Sequence, residues 1–216
     1  MSYPLYSRAE RWADGTVHLV GVGMAIAAVA VLFVHIPDGS GTGIRAALIV
    51  YSVTLILMLS ASGAYHSLAY TVLRPALRRL DHAAIYVKIA GTFTPLAVLL
   101  GSAFGYVTLG LVWVLALIGA AAKLLTGPGR MRTGAWSYLA LGWLGLALFV
   151  PLTQLLPWLS LGLIAGGGLL YSLGVLFYTW ETLRFSNAIW HGFVVVASGC
   201  FFAGIAVALP AMPLIP

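Results

Sequence analysis

The sequence predicts an all-α polytopic membrane protein, a bundle of seven transmembrane helices. Three observations predict it. Of 216 residues, 62% are hydrophobic. Only 7% are charged, against roughly 25% in an average soluble protein. The apolar residues fall in long uncharged windows, each near the ~20 residues that a helix needs to cross a bilayer. The mean hydropathy of +1.03 agrees. This composition excludes an ordinary water-soluble globule, a disordered chain and a coiled coil. A transmembrane β-barrel needs short strands of alternating polarity, which these runs lack.

Each span follows from its breakers. Span 1 is expected at about 17–36 and ends before Asp38-Gly39-Ser40-Gly41. No small-x-small cleavage pattern follows closely, so this run reads as a retained span and not as a signal peptide. Span 2, about 46–67, begins after Arg45. Span 3, about 83–101, contains Lys88. The stretch Gly101-Ser102-Ala103-Phe104-Gly105 separates it from span 4, about 105–123. The uncharged window 133–180 holds 48 residues, which suits two helices. Leu155-Leu156-Pro157-Trp158 marks their turn, giving span 5 at about 136–154 and span 6 at about 158–179. Span 7, about 188–209, ends at Pro210. The seven spans fill residues 1–216 as a single domain. Pro95 and Pro151 are expected to kink their helices.

Charge gives the expected orientation. The N-terminal tail carries Arg8 and Arg11, the 2–3 loop Arg74, Arg78 and Arg79, the 4–5 loop Lys123, Arg130 and Arg132, and the 6–7 loop Arg184. Those nine basic residues share one side, and the other side has Arg45 alone. Cytoplasmic loops are enriched in Lys and Arg, so the N-terminus is expected inside and the C-terminus outside. The net charge of +6 is therefore topological and does not point to nucleic acid. Membrane lipids are the expected partners. Cys200 is the single cysteine, which excludes an internal disulfide and a multi-cysteine metal cluster.

Ionisable groups inside a membrane are costly and call for an explanation. His35 falls at the outer end of span 1 as an interfacial residue. His18, His66, His82 and His191 fall at the cytoplasmic ends, with Asp14 and Asp81 at the same depth. Ser62 and His66, Asp14 and His18, and Asn187 and His191 are each four residues apart, so each pair shares a helix face. A compact bundle can thus gather His66, Asp81 and His191 from three helices. Two histidines and a carboxylate are ligand types of catalytic zinc. The alternative is a set of interfacial histidines hydrogen-bonded between helices. Lys88 lies seven residues beyond Asp81 and is expected to snorkel back and pair with it. Its functional reading is a buried cation that meets an anionic headgroup or the site. The triple glycine Gly166-Gly167-Gly168 permits close helix packing. Trp12, Trp136, Trp180 and Trp190 on the inside and Trp158 on the outside read as an interfacial belt.

Several motifs carry a resemblance: Ser62-Gly-Ala-Tyr-His66, Leu80-Asp81-His82-Ala-Ala-Ile-Tyr86, Ile89-Ala-Gly-Thr-Phe-Thr-Pro95, Tyr138-Leu-Ala-Leu-Gly-Trp143, Gly167-Gly-Leu-Leu-Tyr171-Ser-Leu-Gly174 and Ala188-Ile-Trp-His191. With the spacing Glu10…Asp14…His18…Gly21, they resemble the hemolysin III family, in family order from residue 10 to about 205. That family is related to the progestin and adiponectin receptors and more distantly to alkaline ceramidases. The resemblance implies seven helices in a plasma membrane, the inner membrane of a bacterium, and a zinc site near the cytoplasmic face. It maps a Ser-x-x-x-His onto Ser62 and His66, an aspartate onto Asp81, and a His-x-x-x-His onto Asn187 and His191.

The sequence departs from the family at three positions. Asn187 stands where a histidine is expected, Phe201 stands where a later histidine is expected, and Asp14 stands where the family usually has asparagine. Asp81 as a direct ligand, His82 or His18 completing the shell, and loss of the metal are the alternatives this opens. A hydrolase reading by resemblance makes His66 and His191 the zinc ligands, with Asp81 as ligand or as base. Ser62 then orients water or stabilises the oxyanion. Three classes of function remain: a regulator of membrane fluidity, lipid state or energetics; a zinc-dependent hydrolase of lipid amides or esters; and a pore-forming cytolysin.

Overall fold

The computed structural model describes residues 6–127, 135–180 and 182–209. Arg130, Arg132 and Pro210 lie outside the described residues. Among those residues the chain forms helices only, in the order α1 (Arg8–Val34), α2 (Thr42–Ser67), α3 (Arg74–Leu100), α4 (Ala103–Leu125), α5 (Trp136–Trp143), α6 (Leu146–Leu152), α7 (Trp158–Thr179) and α8 (Ser186–Ala208). Six of them are long and apolar enough to cross a membrane. The stretch Trp136–Leu152, α5 with α6, is shorter.

Local chemistry sets the helix ends. Ser7 and Glu10 form a capping box at the start of α1: Ser7 N donates to Glu10 Oε2 (2.9 Å), and Glu10 N donates to Ser7 Oγ (3.3 Å). The helix therefore starts nine residues before the expected span, in its charged tail. Pro75 occupies the first turn of α3, where its missing N–H costs nothing. Gly101, at φ +62°, ends α3, and Ser102 caps α4 by accepting from Gly105 N (3.1 Å). Pro95 lies inside α3, which runs unbroken past it.

Expected span 5 is broken at Leu144–Gly145. Around the break Gly145 N bonds Gly142 O, Ala147 N bonds Leu144 O, and Leu148 N bonds Gly145 O, each at 3.0 Å. These are the tighter i→i+3 bonds of a 3₁₀ turn. Gly142 and Gly145 are weak helix formers and let the chain tighten there. A Cβ on Gly145 would also crowd the Phe93 ring at 3.2 Å.

α1 pairs with α2, α2 with α3, α3 with α4 and α7 with α8, and α1 closes the bundle against α8. α3 touches α2, α4, α5, α6 and α8, which places it at the centre. Its apolar window is 61% buried, against 17% for α4. The least apolar of the six spans is thus the one most shielded from lipid, which is where polar groups cost least. Gly91 on α3 leaves the room that Thr54 of α2 fills, and Gly167 on α7 leaves the room for Phe201 of α8. The N-terminal ends of α1, α3 and α8 and the C-terminal end of α2 gather at one end of the bundle. Trp12, Trp136, Trp158 and Trp180 are exposed, as interfacial residues should be. Trp190 instead packs on Gly174 and tilts against Tyr178, 5.4 Å between ring centroids.

Lys88 does not reach Asp81. It is buried, and its Nζ donates to the Tyr171 hydroxyl (2.7 Å), which also bonds Ser198 Oγ (2.6 Å). The ammonium sits 4.5 Å from the Tyr171 ring centroid and 5.2 Å from that of Phe201, within cation–π range. Two rings and a hydroxyl offset part of its desolvation in place. A charged residue at mid-span costs about 2.5–3.5 kcal/mol on insertion scales. Lys88→Met is therefore expected to raise the melting temperature of the detergent-purified protein by several degrees, at roughly 2–4 °C per kcal/mol. An unchanged or lower value would show that the aromatic cage fully compensates the burial.

Candidate metal centre

The buried end of the bundle holds three histidines and a carboxylate in mutual contact. Asp14 lies in the second turn of α1, and its carboxylate bridges two other helices. Oδ1 lies 2.7 Å from His191 Nδ1 of α8, and Oδ2 lies 2.8 Å from His66 Nδ1 of α2. One ligand atom from each of Asp14, His66 and His191 lies within 4.8 Å of the other two. Asp14 and His191 are buried and His66 is partly so. Two imidazole nitrogens and a carboxylate oxygen are a donor set that zinc accepts. The residues present therefore fit a zinc-type ion.

His18, one turn beyond Asp14, completes the cluster. Its ring centroid is 4.2 Å from that of His191 and 5.2 Å from that of His66. His18 Nδ1 donates to the backbone carbonyl of Asp14 (2.8 Å). A carbonyl can only accept, so the Nδ1 tautomer follows and Nε2 is left to accept. Ser62 Oγ lies 3.1 Å from that Nε2 and 3.5 Å from His191 Nε2. The Ser62 hydroxyl thus donates to His18 and faces His191 with its remaining lone pairs.

A second tie fixes α1 against α8. The left-handed residue Phe185 (φ +62°) precedes α8, and its N–H donates to Glu10 Oε1 (3.2 Å). Glu10 is one turn before Asp14, so this bond and the Asp14–His191 contact hold the same two helices together.

The residues singled out from the sequence are distributed as follows. Ser62, His66 and His191 meet in this cluster. Asp81 is buried nearby, but it pairs with the adjacent His82, at 3.2 Å from Nδ1 to Oδ2. That Nδ1 lacks a well-aligned hydrogen bond. Asp81 stands within electrostatic reach of His66 and His191, and the closely spaced donor set contains Asp14 instead. Asn187 lines a cavity of about 790 Å³ that also borders Asp14 and His66. Phe201 is remote from the cluster and sits beside Lys88 and over Gly167. Asp14 was legible as a partner for His18 through the four-residue spacing. Its role between His66 and His191 depends on which face α1 turns to the bundle, which spacing alone does not fix.

The profile of the family described as haemolysin-III related matches residues 6–202. Hemolysin-3 of Bacillus cereus is 33% identical over 194 residues, covering 89% of each chain. The Hemolysin-3 homolog of Bacillus subtilis (strain 168) is 32% identical over 201 residues, covering 92% of this chain and 93% of that one. With six apolar helices of spanning length, a seventh shorter stretch and this match along nearly the whole sequence, the chain belongs to the haemolysin-III related family of multi-pass membrane proteins.

Proposed function

We propose that this protein is a zinc-dependent hydrolase of membrane lipids, with Asp14, His66 and His191 as the metal ligands. Through that chemistry it takes part in membrane lipid homeostasis. The observation that carries the reading is the convergence of those three donors beside a cavity that borders two of them. A purely structural cluster needs no cavity.

The two departures at positions 14 and 187 support it. The family usually has asparagine at the first and histidine at the second. Here a carboxylate is gained and an imidazole is absent, and both positions border the same cleft. Asp14 takes over the donor that Asn187 does not supply. Bound there, zinc would polarise an acyl carbonyl and acidify water near neutral pH. Asp81 adds a second buried carboxylate close by. Two carboxylates with two neutral imidazoles balance a dication, which a low-dielectric site requires. Ser62 holds His18 and orients water within the cluster, and His18 Nε2 is placed to receive a proton through the serine. Water adds across the acyl C–O or C–N bond, so the products are a fatty acid and an alcohol or amine. Orientation by the positive-inside rule puts this chemistry on the cytoplasmic side.

The cytolytic reading draws on the family name alone. The hydrolase reading is the one the cleft favours. Purified protein loaded with zinc and incubated with a bacterial lipid extract should release fatty acids, detected by mass spectrometry and abolished by a chelator. Fatty-acid release that persists in metal-free protein would falsify the proposal, and so would no release from the zinc-loaded form.

A further inference from the structure

Two of the proposed metal donors, Asp14 and His66, line the cavity. Its walls carry Arg8 and Arg11 from α1, Arg74 from the start of α3 and Arg184 from the α7–α8 connection. Among the described residues, two carboxylates line it, Glu10 and Asp14. Both are engaged: Glu10 with Ser7 and the Phe185 N–H, Asp14 with His66 and His191. The described lining therefore carries more positive than negative side chains.

We propose that this cleft receives a phosphate group, carried on an anionic lipid headgroup, and so selects phospholipid substrates over uncharged lipids. Guanidinium forks match phosphate oxygens in both shape and charge. The Arg11 guanidinium lies 5.1 Å from the Tyr70 ring centroid, and that of Arg184 lies 5.0 Å from the Phe185 centroid. Stacking occupies the face of a guanidinium and leaves its in-plane N–H groups to donate. The depth also fits. Arg11 precedes Asp14 by three residues, about 4.5 Å along a helix. A phosphate held at the arginines leaves the nearest acyl ester of a glycerophospholipid a few bonds further in, beside the donor cluster. Arg8, Arg11, Arg74 and Arg184 belong to the basic end of the bundle, where headgroups lie under the positive-inside orientation. The substrate class deepens the hydrolase reading and rests on it for catalysis, whereas binding of the phosphate does not need the metal.

Calorimetric titration of the full chain in phosphatidylcholine nanodiscs tests this with three probes: dihexanoyl phosphatidate, dihexanoyl phosphatidylcholine and inorganic phosphate. The phosphatidate is expected to bind roughly tenfold tighter than the phosphatidylcholine, as charge-assisted bidentate contacts imply. The double variant Arg8→Gln/Arg184→Gln should lose that advantage. Both side chains are exposed, so the bundle and its zinc content should be unchanged. Inorganic phosphate binding as tightly as phosphatidate, and equally sensitive to the arginines, would confirm the phosphate site and assign it to a soluble phosphate. Absence of binding by either anion, or binding indifferent to the arginines, would overturn the proposal. Wild-type protein that takes up no zinc when supplied with it, yet binds phosphatidate, would overturn the metal reading alone.

Discussion

Asp14→Asn is expected to strip zinc from the protein, from about one ion per chain to background. The loss should exceed the roughly 10–100-fold in affinity that follows removal of an outer-shell partner, because in the proposed site Asp14 is a ligand itself. The substitution is close to isosteric, so its effect is chemical. A carboxylate accepts on both oxygens, and Asp14 uses one for His191 and one for His66. An amide has one acceptor oxygen and an NH₂ group that faces the second imidazole with the wrong polarity. Lipid hydrolysis should fall with the metal. The decisive variant is Asp14→Asn combined with Asn187→His. Position 187 is four residues before His191 on α8 and borders the same cavity as Asp14, so a histidine there shares the ligand face. The double variant is expected to recover zinc, read by elemental analysis. Zinc retained in Asp14→Asn would remove Asp14 from the ligand set. No recovery in the double variant would show that the two positions do not exchange roles.

Legibility in the sequence followed the physics of each signal. The apolar windows expected from hydropathy overlap α1, α2, α3, α4, α7 and α8, because transfer of apolar surface dominates there. It placed the starts of α1 and α3 too late. Helices are bounded by hydrogen bonds and not by hydropathy, and the capping box Ser7-x-x-Glu10 and Pro75 were the signals for those starts. The break at Leu144–Gly145 has its signal in two glycines three residues apart. At the site, the shared end of His18, His66 and His191 was legible from span positions. The choice between Asp14 and Asp81 was not, since both carboxylates have the same expected depth. It is decided by the rotation of α1 against α2 and α8. Lys88 shows the same limit: its spacing from Asp81 is compatible with a pair, but the Tyr171 hydroxyl lies closer at its own level of the bundle.

That rotation makes Gly21 a sensitive position outside the cluster. A Cβ built at Gly21 would lie 2.6 Å from Cγ2 of Val195, which no real contact tolerates. Gly21 is two turns beyond Asp14 on α1, and Val195 is one turn beyond His191 on α8. The contact is thus the fulcrum of the two helices that Asp14 and His191 join. Besides α2 and the polar ties of Glu10 and Asp14, α1 is weakly held, with its apolar window only 22% buried. A side chain at this point can relax only by moving α1 outward, since Val195 is β-branched and stiff. Gly21→Val is expected to cost about 1–3 kcal/mol by overpacking. The functional loss should be larger than the stability loss, because a shift of about 1 Å separates ligands that must stay within bonding reach of one ion. The variant should therefore fold, crossing the membrane as before, yet hold little zinc. Gly23→Val supplies the control: no atom lies within 4 Å of its Cβ position, and its zinc content should match the wild type. Equal zinc in both variants would mean that α1 is free to slide without disturbing Asp14. Equal loss in both would mean that any bulk on α1 perturbs the site, and that the Gly21–Val195 contact has no special part in holding it.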